Sequence, residues 1–175
     1  MFTVVFAALA LTGALFHIAF SRTFSRDGRT QERMVETLLA YWFALAIGAA
    51  GVFEFAGHMF RANQVAASIG WLPGSPFQQE VAFADLALGV LGIACIFVRD
   101  NFWLATAIAA AVMYWGDALG HIDQIVRYGN HHPGNSGAVL WGDIFIPAFA
   151  ILLLILRSRS SRSDRRAVPP SEALN

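Results

Sequence analysis

The sequence predicts an all-α integral membrane protein, a bundle of five transmembrane helices, and three observations carry that prediction. The chain of 175 residues is 57% hydrophobic and only 14% charged, with a mean hydropathy of +0.54, too apolar for a water-soluble domain of this length. Its apolar residues fall into five runs of about 20 residues, the length that crosses a hydrocarbon core of about 30 Å at about 1.5 Å per residue. The 12 basic residues are all Arg and gather in the connections and near the C-terminus. Residues 1–156 form the predicted bundle, and 157–175, rich in Arg and Ser and then Pro, lack the apolar content to fold and read as a disordered tail.

The first span is Phe2 to Phe20. No positive residue precedes it and basic residues follow it, which argues for a retained helix rather than a cleaved leader. His17, alone on its apolar surface, reads as a histidine satisfied by neighbours. Ser21 to Thr37 is a charged surface connection that includes Asp27-Gly28, a turn signal. The second span, Leu38 to Phe60, carries Ala46, Gly48, Ala50 and Gly51, small enough to let another helix approach closely. A loop from Arg61 to Phe77 follows, with Pro73, Gly74 and Pro76 as helix breakers and Trp71 suited to the headgroup level.

The third span, Gln78 to Val98, has a packing stripe of Ala82, Asp85, Gly89 and Gly92 at helical spacing. Arg99-Asp100-Asn101 is a tight connection to the fourth span, Phe102 to Ile122, where Gly116 and Gly120 make a small-residue pair around Asp117. Asp123 to Gly137 is a second polar loop. The fifth span, Ala138 to Leu156, contains Pro147, tolerable in a membrane helix where neighbours satisfy the freed carbonyl. Cys95 is a lone, buried thiol that can form no internal disulfide.

Five spans put the two ends of the bundle on opposite sides, and the positive-inside rule chooses between the orientations. With the C-terminus in the cytoplasm, ten Arg residues lie inside and only Arg61 and Arg127 outside. The predicted location is the cell (inner) membrane, N-terminus outside.

That topology brings ionisable residues to one depth. Glu54 and His58 end the second span, Glu80 begins the third, Asp117 and His121 end the fourth, and Asp143 begins the fifth, each within about 10 Å of the outer boundary by helical rise. In Glu54-x-x-x-His58 and Asp117-x-x-x-His121 the acid and the imidazole share a helix face. A charge isolated at mid-membrane costs about 2.5–3.5 kcal/mol, so such groups persist by pairing, protonating or binding something. Four carboxylates and two imidazoles are also the ligand inventory of dimetal sites in helical bundles, although the spacing here differs from the usual Glu-x-x-His.

The expected metal ligands are therefore Glu54, His58, Glu80, Asp117, His121 and Asp143, with His58 and His121 on one common site. Iron or manganese suits a dinuclear site, and zinc suits a mononuclear one equally well. Asp85 lies about 140° round the helix from Glu80, so only one of the two faces the site. Glu80, at the common depth, is preferred, and Asp85 is a deeper supporting candidate. Haem on the two histidines does not suit the paired acids, and His131 and His132 read as solvated.

Gly70-Trp71 with Pro76-Phe77-Gln78-Gln79-Glu80, Gly89-Val90-Leu91-Gly92, Gly116-Asp117 with Gly120-His121, and Pro133-Gly134-Asn135-Ser136-Gly137 resemble an uncharacterised family of small prokaryotic multi-spanning membrane proteins over about residues 38–156. The resemblance implies a shared bundle in a prokaryotic inner membrane and no activity. Function is read from the residues: a metal-binding membrane protein, with an oxidoreductase acting on a lipid-soluble substrate as its enzymatic form. The alternatives are a proton-coupled transporter or sensor, and a metal-free structural polar layer. A transporter needs polar groups through both leaflets, and the inner halves hold almost none. The expected partners are the bilayer and a lipid-soluble small molecule; no nucleotide loop, hydrolase elbow, zinc-protease motif or Cys-x-x-Cys is present, and nothing suggests nucleic acid.

Overall fold

Hydrocarbon offers the backbone no hydrogen bonds, so apolar runs of this length must satisfy their own amides, and helices result. The computed structural model describes residues 2–22, 24 and 30–167, and no strand occurs among them. Helix α1 spans Phe2–Phe20. The second span is continuous from Gln31 to Phe60, built of α2 (Gln31–Tyr41), a π-helical segment (Trp42–Ala49) and α3 (Ala50–Phe60). After α4 (Ala62–Ile69) come α5 (Phe77–Ala94), α6 (Asn101–Tyr128), the single turn α7 (Pro133–Ser136) and α8 (Ala138–Ala167). Five helices are long and apolar enough to cross a membrane, in the order expected.

The ends differ from the apolar runs because polar residues near a bilayer surface remain good helix formers. The second span starts at Gln31 rather than Leu38, since the Thr30 side chain accepts a hydrogen bond from the Arg33 amide at 3.3 Å and caps the helix. The loop after Phe60 contains α4, which ends at Gly70 with φ +85°, a left-handed conformation that glycine adopts freely. The fourth span runs six residues past Ile122, to Tyr128. The tail expected from 157 is helical to Ala167, with Ser158 and Ser160 hydroxyls donating back to the Ile155 and Arg157 carbonyls at 2.8 and 2.9 Å. Residues 168–175 of that tail, and Asp27-Gly28 in the first connection, lie outside the described residues.

Packing follows the small residues. The second span and α5 meet backbone to backbone through Gly48 and Gly51 on one side and Gly89 and Gly92 on the other. A Cβ on Gly92 would stand 2.5 Å from the Gly48 nitrogen, and one on Gly51 2.7 Å from the Asp85 carbonyl. Helix α6 packs along α8, and α1 packs against the second span and α8. The helices enclose Leu39, Trp42, Phe43, Ile47, Leu88, Trp103 and Ile146. Pro147 is buried inside α8 and removes the amide that would serve the Asp143 carbonyl. Indole N–H groups of Trp115 and Trp42 donate to the nearby Ile144 and Ile146 carbonyls at 3.2 and 3.0 Å.

Each end of the bundle is fastened. At one end Arg157 pairs with Glu36 at 2.8 Å and Asp100 at 2.7 Å, Arg99 lies 3.6 Å from Glu36, and both guanidiniums sit over the Trp103 ring at 5.2 and 5.5 Å. Trp103 Nε1 donates to the Cys95 carbonyl at 2.8 Å, tying α5 to α6 there. At the other end Asn130 donates to the Ile69 carbonyl at 2.8 Å, and Gly134 lies against Ser68, so close that a Cβ would stand 2.7 Å from the Ser68 carbonyl.

Candidate functional site

Polar side chains gather at the second of these ends. Thr3, in the first turn of α1, donates from its hydroxyl to Glu54 Oε1 at 3.1 Å, and its side chain touches Gly142 at the start of α8. The beginnings of α1 and α8 and the end of the second span therefore share one level.

On one side of that level stands His58, at the end of α3. Its Nδ1 lies 2.6 Å from Gln78 Oε1, and its Nε2 faces Asp85 Oδ2 at 4.0 Å, both partners being on α5. Because Oε1 can only accept, Nδ1 donates to it, and Nε2 is the ring atom turned toward the carboxyl group. The glycine contact between α3 and α5 sets this distance, since Gly51 rests on the Asp85 carbonyl itself.

The other side repeats the arrangement. His121 Nδ1, on α6, lies 2.8 Å from Asn135 Oδ1, and its Nε2 faces Asp143 Oδ2 of α8 at 3.6 Å. The amide orientation is fixed independently: Asn135 Nδ2 donates to the carbonyls of His121 and Asn130 at 3.2 and 2.8 Å, which leaves Oδ1 for the ring. Asn135 is 0% exposed, so every one of these bonds is made away from solvent.

Three buried polar atoms lack a hydrogen-bond partner among the described residues: Asp85 Oδ2, Asp143 Oδ2 and the Tyr114 hydroxyl. The three residues are 4%, 6% and 3% exposed, deep enough that an unmade hydrogen bond is costly. Two histidine–aspartate pairs thus stand at the same end of the bundle.

The sequence-derived residues divide accordingly. His58, His121 and Asp143 stand in these pairs, Glu54 takes the Thr3 hydroxyl, and Asp117 is exposed on α6 one helical turn before His121. Glu80 is exposed and meets none of them, and Asp85 takes the place expected for it. Both lie on α5, and the face that packs against the glycines is the one that bears Asp85. The nearest ionisable partners of His58 and His121 lie on different helices, Asp85 on α5 for His58 and Asp143 on α8 for His121, as α3 packs against α5 and α6 against α8. Among the described residues no three His, Cys, Asp or Glu side chains stand close enough to share one ion. His131 and His132 are exposed, and the His132 ring instead packs beside Gly70.

Thr3, Gln78, Tyr114 and Asn135 were not foreseen. Tyr114 carried a signal, lying three residues before Asp117 and seven before His121 on one helix face. Gln78 and Asn135 stand seven and eight residues before an aspartate, which an unaided reading of amides does not distinguish from ordinary polar positions.

Compared with known proteins, residues 1–163 match the model of a family described as a family of unknown function (DUF6790), beyond the roughly 38–156 over which the sequence motifs carried a resemblance. No curated protein and no solved structure matches the chain.

Proposed function

We propose a function from the site itself, because the chain belongs to DUF6790, a family of unknown function: it is a membrane protein that binds a divalent transition metal near one face of the bilayer. The ligands are drawn from Glu54, His58, Asp85, Asp117, His121 and Asp143. The observation that carries this reading is the pair of buried aspartate oxygens without a hydrogen-bond donor, each opposite a histidine Nε2 at 3.6 or 4.0 Å. These separations are too long for a hydrogen bond. Two ligands at about 2.0–2.2 Å from one ion, at a tetrahedral angle, lie about 3.4 Å apart. The Nδ1–H bonds to Gln78 and Asn135 are the outer-shell support that fixes a ligating imidazole in the required tautomer.

Iron, manganese and zinc all accept this nitrogen and oxygen donor set. Iron or manganese would give the centre the redox chemistry an oxidoreductase needs, and the exposure of Asp117 on α6, between glycines with open space beside them among the described residues, suits a substrate arriving from lipid. The arginine distribution orients the site outward, in a prokaryotic inner membrane with the C-terminal end of α8 in the cytoplasm. The apolar core around Trp42, Phe43 and Trp103 stands between the polar layer and the opposite face, which disfavours transport through the bundle.

A second reading is favoured by the lack of three convergent ligands among the described residues: each Asp–His pair holds a proton, not a metal. Elemental analysis of detergent-purified protein, supplemented with each metal and kept free of chelator, separates the two. Metal at whole-number stoichiometry is expected, falling at least tenfold in affinity in His121→Ala and unchanged in Glu80→Gln. Metal-free wild-type protein would overturn the metal reading in favour of the paired protons.

A further inference from the structure

We infer that the arginine end of the bundle binds acidic phospholipid, with exposed guanidiniums on the headgroup phosphate and the apolar side chains beneath them on the acyl chains. The histidine layer lies at the opposite end, so this stands apart from the metal reading. Three arginines reach the bilayer surface at one level. Thr3 touches Gly142 where α1 and α8 begin, and these helices, the first and fifth spans, pack together and run on in the same direction. Arg22 follows Thr3 by 19 residues and Arg159 follows Gly142 by 17, so both arrive about 26–28 Å further on, close to the thickness of a hydrocarbon core. Arg99 joins them, 3.6 Å from Glu36, which also holds Arg157, two residues before Arg159.

The neighbouring carboxylates leave these three charges largely free. Glu36 and Asp100 both turn to Arg157, at 2.8 and 2.7 Å. Arg99 has only the longer contact to Glu36 among the described carboxylates, with 49% of its side chain exposed. Arg22 and Arg159 are exposed and form no ion pair among the described residues. Beyond Arg159, α8 continues to Ala167 and carries Arg162, Arg165 and Arg166 against one acid, Asp164. Positive charge is therefore in surplus where headgroup phosphates lie, and each arginine close to an anionic surface strengthens attachment about fivefold.

Exposed apolar side chains stand just inside the bilayer from each of the three. Phe20, 72% exposed, precedes Arg22; Phe97 and Val98, 81% and 48% exposed, precede Arg99; Ile155, 42% exposed, lies one turn before Arg159. A soluble phosphate or an acidic polypeptide would meet the guanidiniums and leave this belt uncovered. A phospholipid engages both, its chains along the belt and its phosphate above them. A zwitterionic lipid carries its own ammonium beside the phosphate, so the unpaired arginines select a headgroup of net negative charge.

The test uses the full-length protein in nonionic detergent, stripped of lipid and titrated with phosphatidylglycerol or with phosphatidylcholine of the same acyl chains, bound lipid being counted by native mass spectrometry. Phosphatidylglycerol should bind about 100-fold more tightly, three arginines at about fivefold each. That preference should shrink as salt is raised. It should fall about fivefold in Arg22→Gln, about fivefold in Arg159→Gln and about 25-fold in the double variant. Both side chains are exposed and outside the pairing of Arg157 with Glu36 and Asp100, so size-exclusion profiles should stay unchanged. Arg159→Lys keeps the charge and should keep the preference, as should Arg127→Gln at the other end, where Arg127 pairs with Asp123 at 2.6 Å. Equal affinity for the two lipids would overturn the inference, and so would a preference undiminished in the double variant. Glycerol 1-phosphate competing as strongly as the whole lipid would also overturn it, by showing a site for soluble anions that makes no use of the apolar belt.

Discussion

Asn135 does more with one side chain than any other residue in the layer. Its amide accepts from His121 and donates to two carbonyls, all in the absence of water. Asn135→Leu keeps the volume and strands one ring N–H and two carbonyls, at about 1–3 kcal/mol for a group left unsatisfied. Because the loop relaxes around it, a total loss of about 2–4 kcal/mol is expected in denaturant unfolding of the detergent-solubilised protein. An unfolding midpoint within error of wild type would mean that the loop carries no such network. At this scale the sequence was partly legible. Acid-x-x-x-His spacing exposed Glu54, His58, Asp117 and His121, because one helix imposes it. Gln78 and Asn135 were not legible, because their role depends on which loop folds back over which helix end. The choice of Glu80 over Asp85 failed for a related reason: depth along a helix can be counted, but the face that meets a neighbour depends on the neighbour.

Helices behaved as their small residues required, though not all small residues are used alike. Gly92 lies in backbone contact, with 2.5 Å from its would-be Cβ to the Gly48 nitrogen, whereas a Cβ on Gly116 would meet nothing within 4 Å. Gly92→Ala must force α5 off the second span and should cost about 1–3 kcal/mol. Gly116→Ala should gain about 0.5–1 kcal/mol by helix propensity. Unfolding of the two variants side by side tests the contrast, and equal effects would contradict the glycine contact. The expected packing stripes on the second and third spans are thus met, and the stripe at Gly116 and Gly120 has no partner among the described residues. Run length was enough to count the spans. It did not find their ends, because Thr30 caps a helix among charged residues and Arg157 prolongs one through ion pairs. Nor could a 3.6-residue count carry a face across Trp42–Ala49, where the Ala50 amide reaches back to the Leu45 carbonyl and each turn holds an extra residue.

The molecule as a whole has two unlike ends, a ring of paired arginines and acids at one and the histidine layer at the other. If the arginine asymmetry sets the orientation, cysteines placed at exposed Ser75 and Ser158 should label with an impermeant maleimide from opposite sides of intact cells, Ser75→Cys from outside. Cys95 is buried and should not interfere. Labelling of both from one side would contradict the five-span path, and reversed sides would contradict the outward site. The hydrogen bond from Thr3 to Glu54 also has a practical side. The Thr3 hydroxyl meets Glu54 within two residues of the first, so any polypeptide fused ahead of Phe2 leaves the bundle beside the histidine layer. An affinity handle rich in histidine at that position would put foreign imidazoles next to the residues whose metal content is to be measured. Attached at the other terminus, the same handle follows α8, whose Arg157 lies in the arginine cluster at the opposite end of the bundle.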